Sequence, residues 1–454
     1  MHMQGHAIVI GASISGLLAA RALADHFERV TLLERDAIPP AGENRKGVPQ
    51  GHHAHGLLAQ GRISMEQLLP GLTTELEAAG AARGDLADDA RWHLAGDFHC
   101  RFKSGIKGLL VSRPLLEATV RRRVLALPNV TLQPEVDVTG LTASPDSKHV
   151  TGVRLRRLCG DGEQALAADL VVDASGRGSR LPGWLSALGY APPQEERVDI
   201  GLSYTTRVYR RAPEHAGGAR AIVLAASRES RRTGALLFME GERWILTVGG
   251  YRGDPPGAGE AALLDFARSL PAPQFAEVAS QAEPLTHPKT FRYPANVRRR
   301  YERLARFPQG LLAIGDAIAS FNPVYGQGMT VAALEAQALA AELACGKEGL
   351  ARRFFRRAAK LVDVPWTIAV GNDARLLDIR EYNGFANRLI NGYLDLLHRA
   401  ARTDAVLSLA FHRVANLMAS PASLFAPAIV ARVLLGNLLP RRFRAASPLA
   451  MTTR

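Results

Sequence analysis

Residues Leu311–Met329 read LLAIGDAIASFNPVYGQGM. Leu311 to Ile314 form a short apolar run, expected to be a buried strand that ends at Gly315-Asp316. A turn-rich segment, Asn322-Pro323-Val324-Tyr325-Gly326-Gln327-Gly328, then opens an alanine-rich helix from about Met329 to Leu343. Gly326 and Gly328 allow the backbone to come close to a flat ligand. The unpaired N–H groups at the start of the helix place partial positive charge in front of it, which suits a ring that becomes anionic during turnover. Read alone, the stretch also fits an ordinary strand-to-helix connection in which Asp316 caps a turn.

The N-terminus adds a second element of the same kind. His6 to Ile10 is an apolar strand, Gly11-Ala12-Ser13-Ile14-Ser15-Gly16 a tight turn into a helix, and Val30 to Leu33 a second strand ending in Glu34. Glu34 lies 18 positions after Gly16, close to the ~20 expected when a carboxylate accepts hydrogen bonds from a ribose at the end of the second strand. Ser13 replaces the middle glycine of G-x-G-x-x-G, so the backbone there is less free and the hydroxyl must stand aside or bond a phosphate oxygen.

These two segments together resemble the flavoprotein monooxygenase superfamily with the p-hydroxybenzoate hydroxylase architecture. Within it, the chain resembles bacterial FAD-dependent epoxidases and hydroxylases of natural-product pathways, such as polyether biosynthesis. The likeness runs through RKGVPQGHHAHGLL (Arg45–Leu58), VSRPLLE (Val111–Glu117), VVDASGRGSRLPGWLSALG (Val171–Gly189), Gly315–Met329 and VDVPWTIAVGNDARL (Val362–Leu376), in the same order. It implies an α/β chain with a Rossmann-like FAD-binding domain (1–84, 104–190 and 298–345), an inserted antiparallel-sheet substrate domain (85–103 and 191–297) and a helical C-terminal region (346–454). FAD is the implied cofactor. Its ADP part would lie on Gly11, Ser13, Gly16, Glu34 and Arg35. The remainder would lie on Arg45, Gln50, Arg113, Asp316, Pro323, Gly326, Gly328 and Met329.

Two positions depart from the family pattern. His52 stands where relatives usually carry arginine, and Ser175 where the NAD(P)H-using aromatic hydroxylases place aspartate. The second departure points toward epoxidases, halogenases and prenyl reductases, and leaves two electron routes open: NAD(P)H directly, or a separate flavin reductase.

Composition agrees with a globular chain. The 454 residues are 47% hydrophobic, enough for a large core. Cys100, Cys159 and Cys345 show no CxxC spacing, so neither a disulfide framework nor a thiolate metal site is expected and a reducing cytoplasm fits. The net charge of +13 comes from short, scattered arginine groups without a nucleic-acid module, so no nucleic-acid partner is expected. The start, MHMQGHAIVIG, does not show the pattern of a charged segment and apolar signal core, so export is not expected. Ser423–Leu439 is strongly apolar but contains Pro427 and Arg432 and falls short of the ~20 residues of a membrane span. Followed by Arg441, Arg442 and Arg444, it either packs on the domain or rests on an anionic membrane surface.

Between the cofactor segments, VDIGLSYTTRVYR, AIVLAAS, GALLFME and RWILTVGG read as successive strands of a sheet that would cover the flavin. Tyr204, Phe238, Trp244, Phe291 and Trp366 are the aromatic candidates for pocket walls, although such a residue is more often ordinary core. His53 and His55 are candidate bases, with an ordinary imidazole pKa near 6.5; a histidine metal site is the weaker reading, and no metal is expected.

The resemblance implies that reduced flavin activates O2 and one oxygen atom passes to a hydrophobic small molecule by epoxidation or hydroxylation. Three alternatives remain: a prenyl double-bond reductase, a halogenase, or a non-catalytic FAD- or lipophile-binding protein. The halogenase lacks support from a W-x-W-x-I-P element, since Trp92, Trp184, Trp244 and Trp366 do not form one.

Overall fold

The computed structural model describes residues 5–40, 42–160, 162–382 and 384–438; the basic cluster Arg441, Arg442 and Arg444 lies outside them. A five-stranded sheet organises the nucleotide-binding part. Its order is Leu311–Ala313, Leu170–Asp173, His6–Ile10, Arg29–Leu33, Val130–Gln133, with every neighbour parallel. Numbered in chain order and read from the Val130–Gln133 edge, that is 3-2-1-4-5, a doubly wound arrangement. His6–Ile10 is buried at every position, as a central strand covered on both faces must be. The helix Ile14–Ala24 covers the sheet, Gly328–Ala344 packs against that helix, and the long helix Leu350–Leu377 packs on Gly328–Ala344.

An eight-stranded sheet forms the second layer. It runs Ala319–Ser320, Lys289–Arg299, Glu195–Arg210, Arg243–Tyr251, Arg232–Met239, Ala221–Leu224, Ala90–Leu94, Asp97–Phe98. Its spine is the 16-residue strand Glu195–Arg210, paired antiparallel on both sides. Three further helices, Phe385–Ala401, Ala405–Ala415 and Pro427–Leu438, share a small core of their own.

The two faces of this sheet have different tasks, and strand parity assigns each residue to one of them. On Arg243–Tyr251, Trp244, Leu246 and Val248 point to a core closed by Leu263, Phe266, Phe275 and Val278 of two short helices. Phe238, one position from Leu237, packs against the same core. Phe238 and Trp244, aromatic candidates from the sequence, therefore pack on this core. Thr247, Gly249, Ala235 and Leu237 occupy the opposite parity and face a cavity.

Trp244 is fully buried. Trp244→Ala is therefore expected to lower unfolding free energy by about 3–5 kcal/mol, as truncation of a large core side chain does; denaturant unfolding measures it, and a loss below 1 kcal/mol would contradict this placement.

Candidate functional site

The cavity has a volume of about 1110 Å³ and lies where the two sheets and the C-terminal helices meet. It begins at the carboxyl ends of the parallel strands. Ile10 is in register with Asp173, and Asp173 with Ala313, so the turns after three strands stand side by side. Gly11 takes a φ of +98°, and a Cβ there would lie 2.7 Å from the Ala174 carbonyl oxygen. At Gly16 a Cβ would overlap the Gly11 carbonyl oxygen, and at Gly315 it would overlap the Ser15 hydroxyl. The N-terminal turn and the later one thus pack directly against each other.

Beside the first turn lies a charged cluster. Glu34 accepts hydrogen bonds from the N–H groups of Ala12 (2.8 Å) and Asp36 (3.0 Å). Arg45 bridges Glu34 and Glu117, at 2.9 Å each. Arg113 donates to the Ser13 hydroxyl (2.7 Å) and to Glu117 (3.1 Å), and Ser13 itself donates to Glu117 (2.9 Å). Burial opposes the charge on Glu34, but Arg45 and the two backbone donors outweigh it and hold the carboxyl below its ordinary range. Burial likewise opposes charge on Arg45, while Glu117 and Glu34 raise its pKa. Both partners remain ionised. Glu117 was not singled out in the sequence, although its i,i+4 spacing from Arg113 was a legible sign of the pair.

The loop Asn322–Gly328 is fixed from below by one buried acid. Asp373, on the long helix Leu350–Leu377, accepts from Asn296 Nδ2 (2.7 Å), Asn322 Nδ2 (2.8 Å) and the Tyr325 hydroxyl (2.8 Å). Asn322 Nδ2 also donates to the Tyr251 hydroxyl (2.9 Å). The strand Lys289–Arg299 and the loop thus meet the long helix at this carboxyl, and the strand Arg243–Tyr251 joins them through Asn322. Burial pushes its pKa up to about 6, against the lowering effect of its three donors. Glu335 accepts from the Gly315 N–H (2.6 Å), and burial pushes it up to about 8, so it holds its proton at neutral pH. Asp316 faces the cavity; burial raises its pKa, opposed by Arg113 and Arg177.

The loop histidines are held neutral. His53 Nδ1 and the Thr206 hydroxyl share a hydrogen bond of 2.7 Å, and Thr206 is bonded in turn to Thr247 (2.6 Å). Tyr204 meets the His53 ring edge-on at 4.5 Å, with Phe291 at 5.7 Å. Burial, then the neighbouring His55 and His52, push His53 down to about 3. Burial and Arg113 take His55 to about 4. The expectation of an ordinary imidazole pKa is thereby corrected: desolvation dominates at both positions.

Of the residues proposed from sequence, Gly11, Ser13, Glu34, Arg35, Arg45, Gln50, His53, His55, Arg113, Tyr204, Phe291, Asp316, Pro323, Gly326, Gly328, Met329 and Trp366 line this one cavity. Gly16 stands behind the turn. The arrangement suits a dinucleotide: two turns too tight for a Cβ, a carboxylate at the end of the second strand, and the start of the helix Gly328–Ala344, all opening on one elongated space.

Residues 5–354 match the family described as FAD binding domain. The chain belongs to that family. Protein Rv3254 of Mycobacterium tuberculosis (strain ATCC 25618 / H37Rv) is 37% identical over 458 residues, covering 95% of this chain and 94% of that protein. Among solved structures, pqsL, a probable FAD-dependent monooxygenase from Pseudomonas aeruginosa, superimposes with a TM-score of 0.61 at 19% identity, covering 83% of this chain and 100% of that one. The p-nitrophenol 4-monooxygenase PnpA from Pseudomonas putida DLL-E4 gives 0.62 at 18% identity, covering 92% and 99%. The flavin-dependent brominase Bmp2 gives 0.65 at 16% identity, covering 95% and 98%. The fold is that of the p-hydroxybenzoate hydroxylase superfamily.

Two outcomes follow from this geometry. Gly16→Ala is expected to weaken FAD retention at least about tenfold, or ~1.4 kcal/mol; unchanged flavin content after gel filtration would contradict the tight turn. Asp373 has a folded-state pKa near 6 against an ordinary 3.8, so the folded form binds the extra proton. Its stabilising contribution is complete below the ordinary pKa and is lost as pH rises through 6, a change on the order of 2–3 kcal/mol. Asp373→Asn should remove that component from the difference in urea stability between the two proteins, whereas Asp373→Ala should cost ~3 kcal/mol or more by leaving three donors unpaired.

Proposed function

We propose that the protein is an FAD-dependent monooxygenase that transfers one oxygen atom from O2 to a hydrophobic small molecule, an intermediate of secondary metabolism. The observation that carries this reading is the continuity of the cavity. The residues assigned to the dinucleotide line the same space as Leu110, Val223, Leu237, Phe291, Trp366 and Val414, drawn from the strand Lys107–Leu110, the second sheet and the C-terminal helices. Bound FAD, once reduced, supplies the activation of oxygen. The chain supplies apolar walls that exclude water and hold a greasy ligand by shape. The monooxygenases among the structural neighbours support the same reading.

The histidines favour epoxidation of an alkene over hydroxylation of a phenol. Proton removal from a phenol would need a base matched to neutral pH, and His53 and His55, near 3 and 4, are poor acceptors. Oxygen transfer to an alkene needs no protein base. His53 then acts as a positioning residue, anchoring its loop to the sheet through Thr206. Electrons come from NAD(P)H, directly or through a separate flavin reductase, and the protein works in the cytoplasm.

The test is turnover of the purified yellow protein with a reductant and candidate apolar alkenes under isotopically labelled oxygen gas. One labelled oxygen atom per product molecule is expected. Product formed at the same rate without oxygen would assign a double-bond reductase, and halogenated product in the presence of bromide would assign a halogenase; either would overturn the proposal.

A further inference from the structure

Ten large apolar side chains are exposed among the described residues, and nine of them lie between Phe385 and Leu438. Phe385, Leu389 and Ile390 stand on the first turns of the helix Phe385–Ala401, where Gly384 to Ile390 are exposed throughout. Phe425 stacks on Tyr393 of that helix at 4.9 Å. The helix Pro427–Leu438 adds Leu434, Leu435 and Leu438, and its Asn437 Nδ2 donates to the Leu396 carbonyl (2.9 Å), tying it to the first helix. Single exposed leucines need no account; a concentration on two joined helices does.

This apolar face is also the rim of the cavity. Ile390 and Phe425 are each 41% exposed and both line it. The net charge around the face is positive. Residues 384–438 carry five arginines and two aspartates, and both aspartates are paired, Asp395 with Arg375 and Asp404 with Arg432. Arg388 and Arg399 are exposed and eleven positions apart, about three helical turns, so they edge the face that carries Phe385 and Leu389. Residues 439–454 add Arg441, Arg442, Arg444 and Arg454 and no acid.

We propose that this face docks on the surface of an anionic lipid bilayer, placing the cavity rim against the acyl boundary so that an apolar ligand enters from lipid. Exposed leucine and phenylalanine edged by arginine suit an element lying in the interface, and no described helix is long and apolar enough to cross. A second copy is disfavoured as the occupant, because a twofold contact would bring the same arginines face to face. Docking is measured without turnover, so its test is separate from that of the oxygenation chemistry.

The experiment is flotation of the FAD-loaded full chain with phosphatidylglycerol vesicles and, in parallel, phosphatidylcholine vesicles, with light scattering of the lipid-free protein. Partition onto phosphatidylglycerol, weakened by salt, is expected. The triple variant Phe385→Ser, Leu389→Ser, Leu438→Ser should lose it at least about tenfold while keeping its FAD and melting temperature, since all three side chains are already in water. Absence of partition onto either vesicle, equal partition of the variant, or a lipid-free dimer that the variant converts to monomer would overturn the proposal.

Discussion

Three parallel strands that end at one level are the constraint from which the rest follows. The Ala174 N–H donates to the Ile10 carbonyl and the Ile314 N–H to the Asp173 carbonyl, each at 2.9 Å. These bonds bring residues more than three hundred positions apart into neighbouring turns. Every turn must then be thin, because its neighbour occupies the space a side chain would need. That is why glycine stands at 11, 16 and 315, and why the groove above them is left to a ligand.

Electrostatics divides the cavity into two regions. Around the first turn, Glu34, Arg45, Arg113 and Glu117 lock one another by short contacts, and the Glu34–Arg45 pair stays charged. Around the later loop and the sheet, burial drives titratable groups toward neutrality: Glu335 upward, His53 and His55 downward. Both follow from the same low-dielectric interior. Where opposite charges are adjacent they sustain each other, and where a group is isolated its neutral form prevails.

The parts legible in the sequence were those written locally. The glycine turn, the acid at the end of the second strand and the loop before Met329 are each contained within about 30 residues. Ser112 before Arg113-Pro114 gave a helix start that the Ser112 hydroxyl caps by accepting from the Leu115 N–H. Trp244 was not legible because RWILTVGG is buried on both faces, so its apolar run hides the parity that decides which face looks into the cavity. Asp373 looked like any polar position on a helix; its partners Asn296 and Asn322 lie 77 and 51 residues away. The imidazole shifts were hidden for the same reason, since desolvation belongs to the tertiary structure.

The strand order also sets a schedule for biogenesis. Leu311–Ala313 completes the sheet begun by His6–Ile10, yet the whole long-stranded insert is synthesised between them. A nascent chain that has not passed the exit tunnel beyond this strand has only half of its cofactor cradle. The four strands made before it must wait, the apolar edge at Leu170–Asp173 uncovered, while the strands Glu195–Arg299 are made, which makes this edge the point most in need of chaperone protection.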